Sequence, residues 1–264
     1  MGDIVDSNSS FQQGEERAPL VTYEDVAGRL ELSLTRPDLP EEQVYEACRK
    51  ALDYGIAAVV VRPSDVDMAV RVLGNSPVAV ASVAGFPHGS SNTATKLYEG
   101  RDLLRRGVKE VSLVVNYGKM ISRQFQHVET EILQMSESCH QSEALLKVIF
   151  ESAYLAEDLK IILCKMCKRT EADFAETGTG FAPSGYTMAD LALLKTICKD
   201  VVRIKASGAE GSLVKFEEAY FAGCDRFGSK DVFTVADEWK LVLAEREAAA
   251  KALELPVLPA TPVS

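Results

Sequence analysis

The residues of this 264-residue chain that could do chemistry gather in short runs, each just past an apolar stretch. Three runs set charged or hydroxyl side chains beside glycine: Glu176-Thr177-Gly178-Thr179-Gly180, Lys205-Ala206-Ser207-Gly208 and Gly228-Ser229-Lys230. Arg62, His88, Asn116 and Glu151 occupy comparable positions. A lysine amine attacks a carbonyl carbon only when neutral, a form favoured by burial and by neighbouring positive charge. A carboxylate serves as acid or base, and glycine lets a loop close on a small ligand. The three histidines, His88, His127 and His140, have no metal-ligand spacing, and no metal or other cofactor is expected.

Those runs need a frame that brings strand ends together. Eight short apolar stretches read as strands: 30–34, 57–61, 78–83, 110–115, 145–150, 173–177, 201–205 and 225–228. Longer amphipathic stretches separate them, among them a helix over 39–54 and another over 93–106 closed by Gly107. Thr187 to Asp190 has the form of a capping box. Strands apolar on both faces, such as Ala57-Ala58-Val59-Val60-Val61, belong in a parallel sheet covered by helices. Eight such units in this length favour an α/β fold of the (β/α)8 TIM-barrel type over an open doubly wound sheet. No G-x-G-x-x-G follows the first strand, so a dinucleotide site there is unsupported. In such barrels chemistry sits on the loops that leave the strand C-termini, where the polar runs fall.

A formal charge of −10 argues against nucleic acid and anionic membrane surfaces as partners. The apolar run from Val78 to Gly85 is far shorter than the about 20 residues of a membrane span. Residues 1–20 are polar and read as a disordered leader, 21–255 as one barrel domain, and 256–264 as an irregular tail. The leader lacks the basic and apolar regions of a secretory signal. Six scattered cysteines fit a reducing compartment, so a cytoplasmic location is expected. Cys164 and Cys167 form a C-x-x-C pair inside a helical stretch, which reads as two small packed residues.

Several runs resemble the deoxyribose-phosphate aldolase family. Val83-Ala84-Gly85-Phe86-Pro87-His88-Gly89, followed by Thr93-Ala94-Thr95-Lys96, is similar to its third strand, loop and next helix. Phe174 to Gly180 resembles its sixth-strand signature, phenylalanine–aliphatic–lysine–threonine–serine–threonine–glycine, with Glu176 at the place of the lysine. The resemblance implies a class I aldolase barrel in which that lysine forms the Schiff base. It implies a proton-relaying aspartate on the fourth strand, where Glu110-Val111-Ser112-Leu113-Val114 carries Ser112. It also implies a second lysine on the seventh strand, matched by Lys205, and a further one matched by Lys147.

Exchanging a lysine for Glu176 turns repulsion of Lys205 into attraction, which predicts a buried Glu176–Lys205 ion pair and a protonated, poorly nucleophilic Lys205. Lys147 shares a strand face with Ile149 and Glu151 and is expected to point inward and join Glu176. The resemblance places substrate and phosphate binding on Thr177, Thr179 and Gly180 after strand six and on Ser207 and Gly208 after strand seven. Gly228, Ser229 and Lys230 complete it after strand eight. Glu210 and Asp231 oppose an anion there, and Phe181 stands where many members carry a basic residue. The expectation is therefore an aldolase-like protein whose cleavage of 2-deoxyribose 5-phosphate is lost or much reduced. It would bind a small carbonyl or sugar-type metabolite, as a homodimer by resemblance. The alternatives are an active diverged lyase using Lys205 as the amine, or a non-aldol isomerase or carbon–carbon bond-forming enzyme using Glu176 as base.

Overall fold

The computed structural model describes residues 17–254. Its elements run α1 (Tyr23–Ala27), β1 (Leu30–Leu34), α2 (Glu41–Tyr54), β2 (Ala58–Val61), α3 (Val66–Leu73), β3 (Ala79–Ala84), α4 (Thr93–Arg105), β4 (Glu110–Val114), α5 (Tyr117–Ile121) and α6 (Phe125–Gln141). They continue with β5 (Leu145–Ile149), α7 (Glu157–Arg169), β6 (Phe174–Glu176), α8 (Met188–Cys198), β7 (Arg203–Ser207), α9 (Leu213–Phe221), β8 (Arg226–Ser229) and α10 (Val232–Glu254). Every strand pairs in parallel with the next, and β1 pairs with β8, so the sheet closes into an eight-stranded barrel. The fold expected from the alternation of apolar runs is the fold observed.

Strand alternation divides the side chains into two sets. Leu30, Leu32, Val59, Val111, Leu146 and Ile204 point outward and pack under the helices in one continuous core. Burying each such side chain stabilises the fold by roughly 1.5–3 kcal/mol. The inward set is unequal around the barrel. On β2 and β3 it is apolar: Val60, Ala81 and Val83 form a small separate cluster with Phe86 packed on it. On β1 and β4 to β8 it is mostly charged or hydroxylic, as the ion pairs across the barrel show, with Phe174 and Ile149 among the exceptions.

Most strand boundaries move by a residue from the sequence reading. The seventh moves by two, from 201–205 to Arg203–Ser207. Val201 is 64% exposed, and the chain is still turning there. The predicted capping box is present: Thr187 Oγ1 accepts from Asp190 N at 3.1 Å, and Asp190 Oδ2 accepts from Thr187 N at 2.9 Å. Residues 17–20, read from sequence as the end of the leader, lie against the barrel. Arg17 Nη2 meets Asp225 Oδ1 at 2.7 Å, and Leu20 is buried. The rest of the leader and the tail 256–264 lie outside the described residues.

A second buried ion pair braces the barrel from outside. Lys96 on α4 is fully buried, and its Nζ donates to Glu131 Oε2 on α6 and to Val114 O, both at 2.8 Å. Its stem runs beneath Gly85, where an added Cβ would sit 2.8 Å from Lys96 Cε. Glu99 accepts from Gly85 N at 2.7 Å. These contacts fix the loop that carries Phe86.

Candidate functional site at the barrel mouth

At the C-terminal ends of the strands lies a cavity of about 260 Å³. That is near the small end of ligand clefts, which span about 300–1,000 Å³, and suits a small metabolite. Val60, Val83 and Ile149 form apolar wall. Phe86 and Phe181 meet edge to face, with ring centroids 5.4 Å apart, and cover one side.

The floor is ionic. Lys205 Nζ lies 2.9 Å from Glu176 Oε1 and 2.6 Å from Glu31 Oε2. Glu176 is also held by two hydroxyls: Ser112 Oγ donates to Oε2 at 2.9 Å and Ser207 Oγ lies 3.0 Å from Oε1. Gly228 makes room for the lysine, because a Cβ there would stand 2.8 Å from Lys205 Cε. Burial alone would lower the Lys205 pKa, but Glu176 and Glu31 overcome it and hold the ammonium above the ordinary lysine range. Burial alone would raise the Glu31 pKa, and Lys147, Lys205 and Arg226 together hold it below the ordinary carboxylate range.

Below the floor the charges continue. Lys147 Nζ lies 2.6 Å from Glu31 Oε2 and also meets the Glu110 carboxylate. Arg226 reaches Glu31 at 3.1 Å and Glu110 at 3.5 Å. Phe174 sits among these cations, its ring 5.8 Å from Lys147 Nζ and 5.7 Å from Arg226 Cζ. The expected Glu176–Lys205 pair is thus present, but Lys147 does not join Glu176. Lys147 lies one inward position deeper on β5 than Ile149, so it meets Glu31 and Glu110 instead. Glu31, Glu110 and Arg226 were not singled out from sequence, although they complete the network.

The other expected residues divide. Thr179, Gly180, Ser207, Gly208, Ser229 and Lys230 line the cavity, as does Gly228. Thr177 does not: its hydroxyl donates to Ser207 O and accepts from Ser207 N, both at 2.8 Å, tying β6 to β7. Thr179 Oγ1 donates to Glu151, which is buried past the end of β5 with φ 53°. Burial raises the Glu151 pKa, Thr179 lowers it, and Glu176 raises it further. Lys230 is about half exposed and pairs with Asp231 at 3.1 Å. Three further strand-end candidates have other places. Arg62 pairs with Asp65 at 2.6 Å, Asn116 caps α5 through Lys119 N at 3.1 Å, and His88 is exposed outside the cavity lining.

The DeoC/LacD family aldolase model matches residues 21–208, a span that includes the floor of this cavity. The chain belongs to the DeoC/LacD aldolase family. It is 31% identical over 217 residues to the deoxyribose-phosphate aldolase of Caldanaerobacter subterraneus subsp. tengcongensis, covering 82% of this chain and 94% of that protein. A putative deoxyribose-phosphate aldolase from Coccidioides immitis superposes with a TM-score of 0.81 at 28% identity, over 85% of this chain and 88% of that one. The tetrameric deoxyribose phosphate aldolase of Aeropyrum pernix gives 0.77 at 27% identity, over 84% and 93%. Among the described residues no helix is long and apolar enough to cross a membrane. All six cysteines are buried and unpaired with one another, including Cys164 and Cys167 in α7.

Proposed function

We propose that this family member binds a small carbonyl or sugar-type metabolite at the barrel mouth and has lost most or all retro-aldol cleavage of 2-deoxyribose 5-phosphate. One observation carries the reading: Lys205, the amine at the cavity floor, is wedged between the Glu176 and Glu31 carboxylates at 2.9 and 2.6 Å. An ammonium so held has no lone pair for a carbonyl carbon, and both neighbours favour keeping the proton. By resemblance the Schiff-base lysine belongs where Glu176 stands, and a carboxylate forms no imine. Ser112 cannot substitute for a proton-relaying carboxylate at working pH.

The reading with Lys205 as the amine requires loss of a proton that two carboxylates stabilise. The reading with Glu176 as base meets a different obstacle, since its oxygens are already engaged by Lys205, Ser112 and Ser207. Binding without covalent attachment uses the cavity as it stands, with apolar walls and hydroxyls at the rim. The tetrameric relative supports self-association of this chain as well.

The test is borohydride reduction in the presence of a panel of small aldehydes and ketones, read by intact mass, with an assay for aldehyde release from 2-deoxyribose 5-phosphate. No adduct and no release at ordinary aldolase turnover are expected. A reduced adduct mapped to Lys205, or aldehyde release at such turnover, would overturn the proposal.

A further inference from the structure

Next to Glu210, Ser229 and Lys230, which line the cavity, the corner between the β7–α9 and β8–α10 loops carries an internal anion. Asp231 Oδ2 accepts from Gly211 N at 3.2 Å and from Ser229 Oγ at 3.4 Å, while Lys230 Nζ lies 3.1 Å from Oδ1. Ser229 Oγ in turn accepts from Asp231 N at 3.2 Å. A backbone N–H, a hydroxyl and an ammonium therefore converge on one carboxylate. These are the donor types that hold phosphate oxygens on protein loops. The two loops are pressed together at this point, because a Cβ on Gly211 would stand 2.7 Å from Ser229 Oγ and 3.3 Å from Asp231 Cβ.

An aspartate at a helix start usually receives amides of its own first turn. Among the described residues no α10 amide donates to this carboxylate. Only the main-chain carbonyl of Asp231 accepts from Val235 N, at 3.2 Å, and the side chain crosses to the neighbouring loop instead. Glu210, exposed on the cavity wall one residue before Gly211, adds a second negative charge. With Lys230 the corner sums to one net negative charge, against the about −1.5 to −2 of a phosphomonoester.

We propose that Asp231 and Glu210 close this corner to phosphate and set the ligand class of the mouth as an uncharged, unphosphorylated polyhydroxy carbonyl compound. The inference rests on the reading above that the mouth binds a small metabolite. Ser33 and Thr35 supply hydroxyls on the lining for a neutral polyol, and the apolar wall takes its carbon skeleton.

The test is calorimetric titration of inorganic phosphate into the wild type, Asp231→Asn, Glu210→Gln and the double variant, with thermal melts as a folding check. Asp231→Asn keeps a neutral oxygen for Gly211 N, and Glu210→Gln leaves the loop contact untouched. Each carboxylate removed should raise phosphate affinity about tenfold, from like-charge repulsion at near-contact distance in a partly wet site. The affinity of 2-deoxyribose 5-phosphate relative to 2-deoxyribose should rise in parallel. Phosphate binding by the wild type as tight as by the double variant would overturn the proposal. So would folded variants that gain no phosphate affinity, which would make Asp231 a loop latch only. Phosphate titration needs no carbonyl chemistry, so an adduct on Lys205 would sink the previous reading and leave this result standing. Phosphate binding by the wild type would sink only this one.

Discussion

Replacing Glu176 by lysine inverts the charge balance of the barrel axis. The network holds three carboxylates, Glu31, Glu110 and Glu176, against three cations, Lys147, Lys205 and Arg226. The variant holds two against four. It loses the 2.9 Å pair with Lys205 and sets an amine beside that ammonium. Breaking a buried pair by removing one partner costs about 3–5 kcal/mol. At about 2–4 °C per kcal/mol for a domain of this size, the melting temperature should fall by about 6–20 °C. The new lysine escapes part of the repulsion by shedding its proton, so a borohydride-trapped adduct should appear and grow with pH. Adding Ser112→Asp places a carboxylate where a hydroxyl now lies 2.9 Å from Glu176 Oε2. The double variant should regain part of the lost stability and show some retro-aldol activity. Ser112→Asp alone should destabilise, because two carboxylates then share one site. Differential scanning calorimetry on the full cycle should give a coupling within about 0.5–3 kcal/mol, as for residues in one network. A Glu176→Lys protein melting within about 2 °C of wild type would refute the electrostatic argument. So would a Ser112→Asp increment equal in both backgrounds.

Other measurements probe the same structure. The Glu31 pKa is depressed, so its contribution is full above the ordinary 4.5 and fades as pH falls toward the folded value; Glu31→Gln should flatten that acid limb in a series of melts against pH. The Lys205 pKa is raised, so its contribution is full below the ordinary 10.5 and is lost as pH climbs through the folded value, a decline that Lys205→Met should remove. Gly228→Ala drives a methyl to 2.8 Å from Lys205 Cε and should cost about 1–3 kcal/mol in urea unfolding, whereas a change below about 0.5 kcal/mol would show that Lys205 moves freely. Lys96→Met strands the buried Glu131 and should cost about 3–5 kcal/mol, with Glu131→Leu added to it restoring most of the loss in the same assay.

The barrel was legible because its outward faces follow a simple rule. Leu30, Leu32 and the β-branched runs of β2, β3 and β4 must pack under helices, and that pattern survives in any register. Glu176, Lys205 and Ser112 were found because they stand in runs that resemble the family's strand signatures. Glu31 and Glu110 were missed because an acid flanked by apolar residues looks like the wet face of a surface strand. In a closed barrel the helices cover the apolar face, so the polar alternation in Leu30-Glu31-Leu32-Ser33-Leu34 marks the interior instead. Arg226 was hidden for another reason: it starts its strand, where a charged residue normally faces solvent, yet its guanidinium turns inward to two carboxylates. The depth of Lys147 could not be read from alternation, which gives a face but not the layer on it. The bond from Gly211 N to Asp231 Oδ2 joins two loops 20 residues apart and leaves no local pattern.

The charged axis also bears on how the barrel responds to heat. An apolar interior adds to the heat capacity of unfolding, by about 0.45 cal/K/mol per Å² exposed, whereas polar surface subtracts about 0.26. Lining the axis with carboxylates, ammonium groups and a guanidinium therefore lowers the heat-capacity increment and broadens the temperature range over which the fold is stable. The desolvation that opposes such pairs also weakens on warming, because the hydration of ions becomes less favourable. Relative to an oily barrel of equal stability at room temperature, this centre holds better as temperature rises.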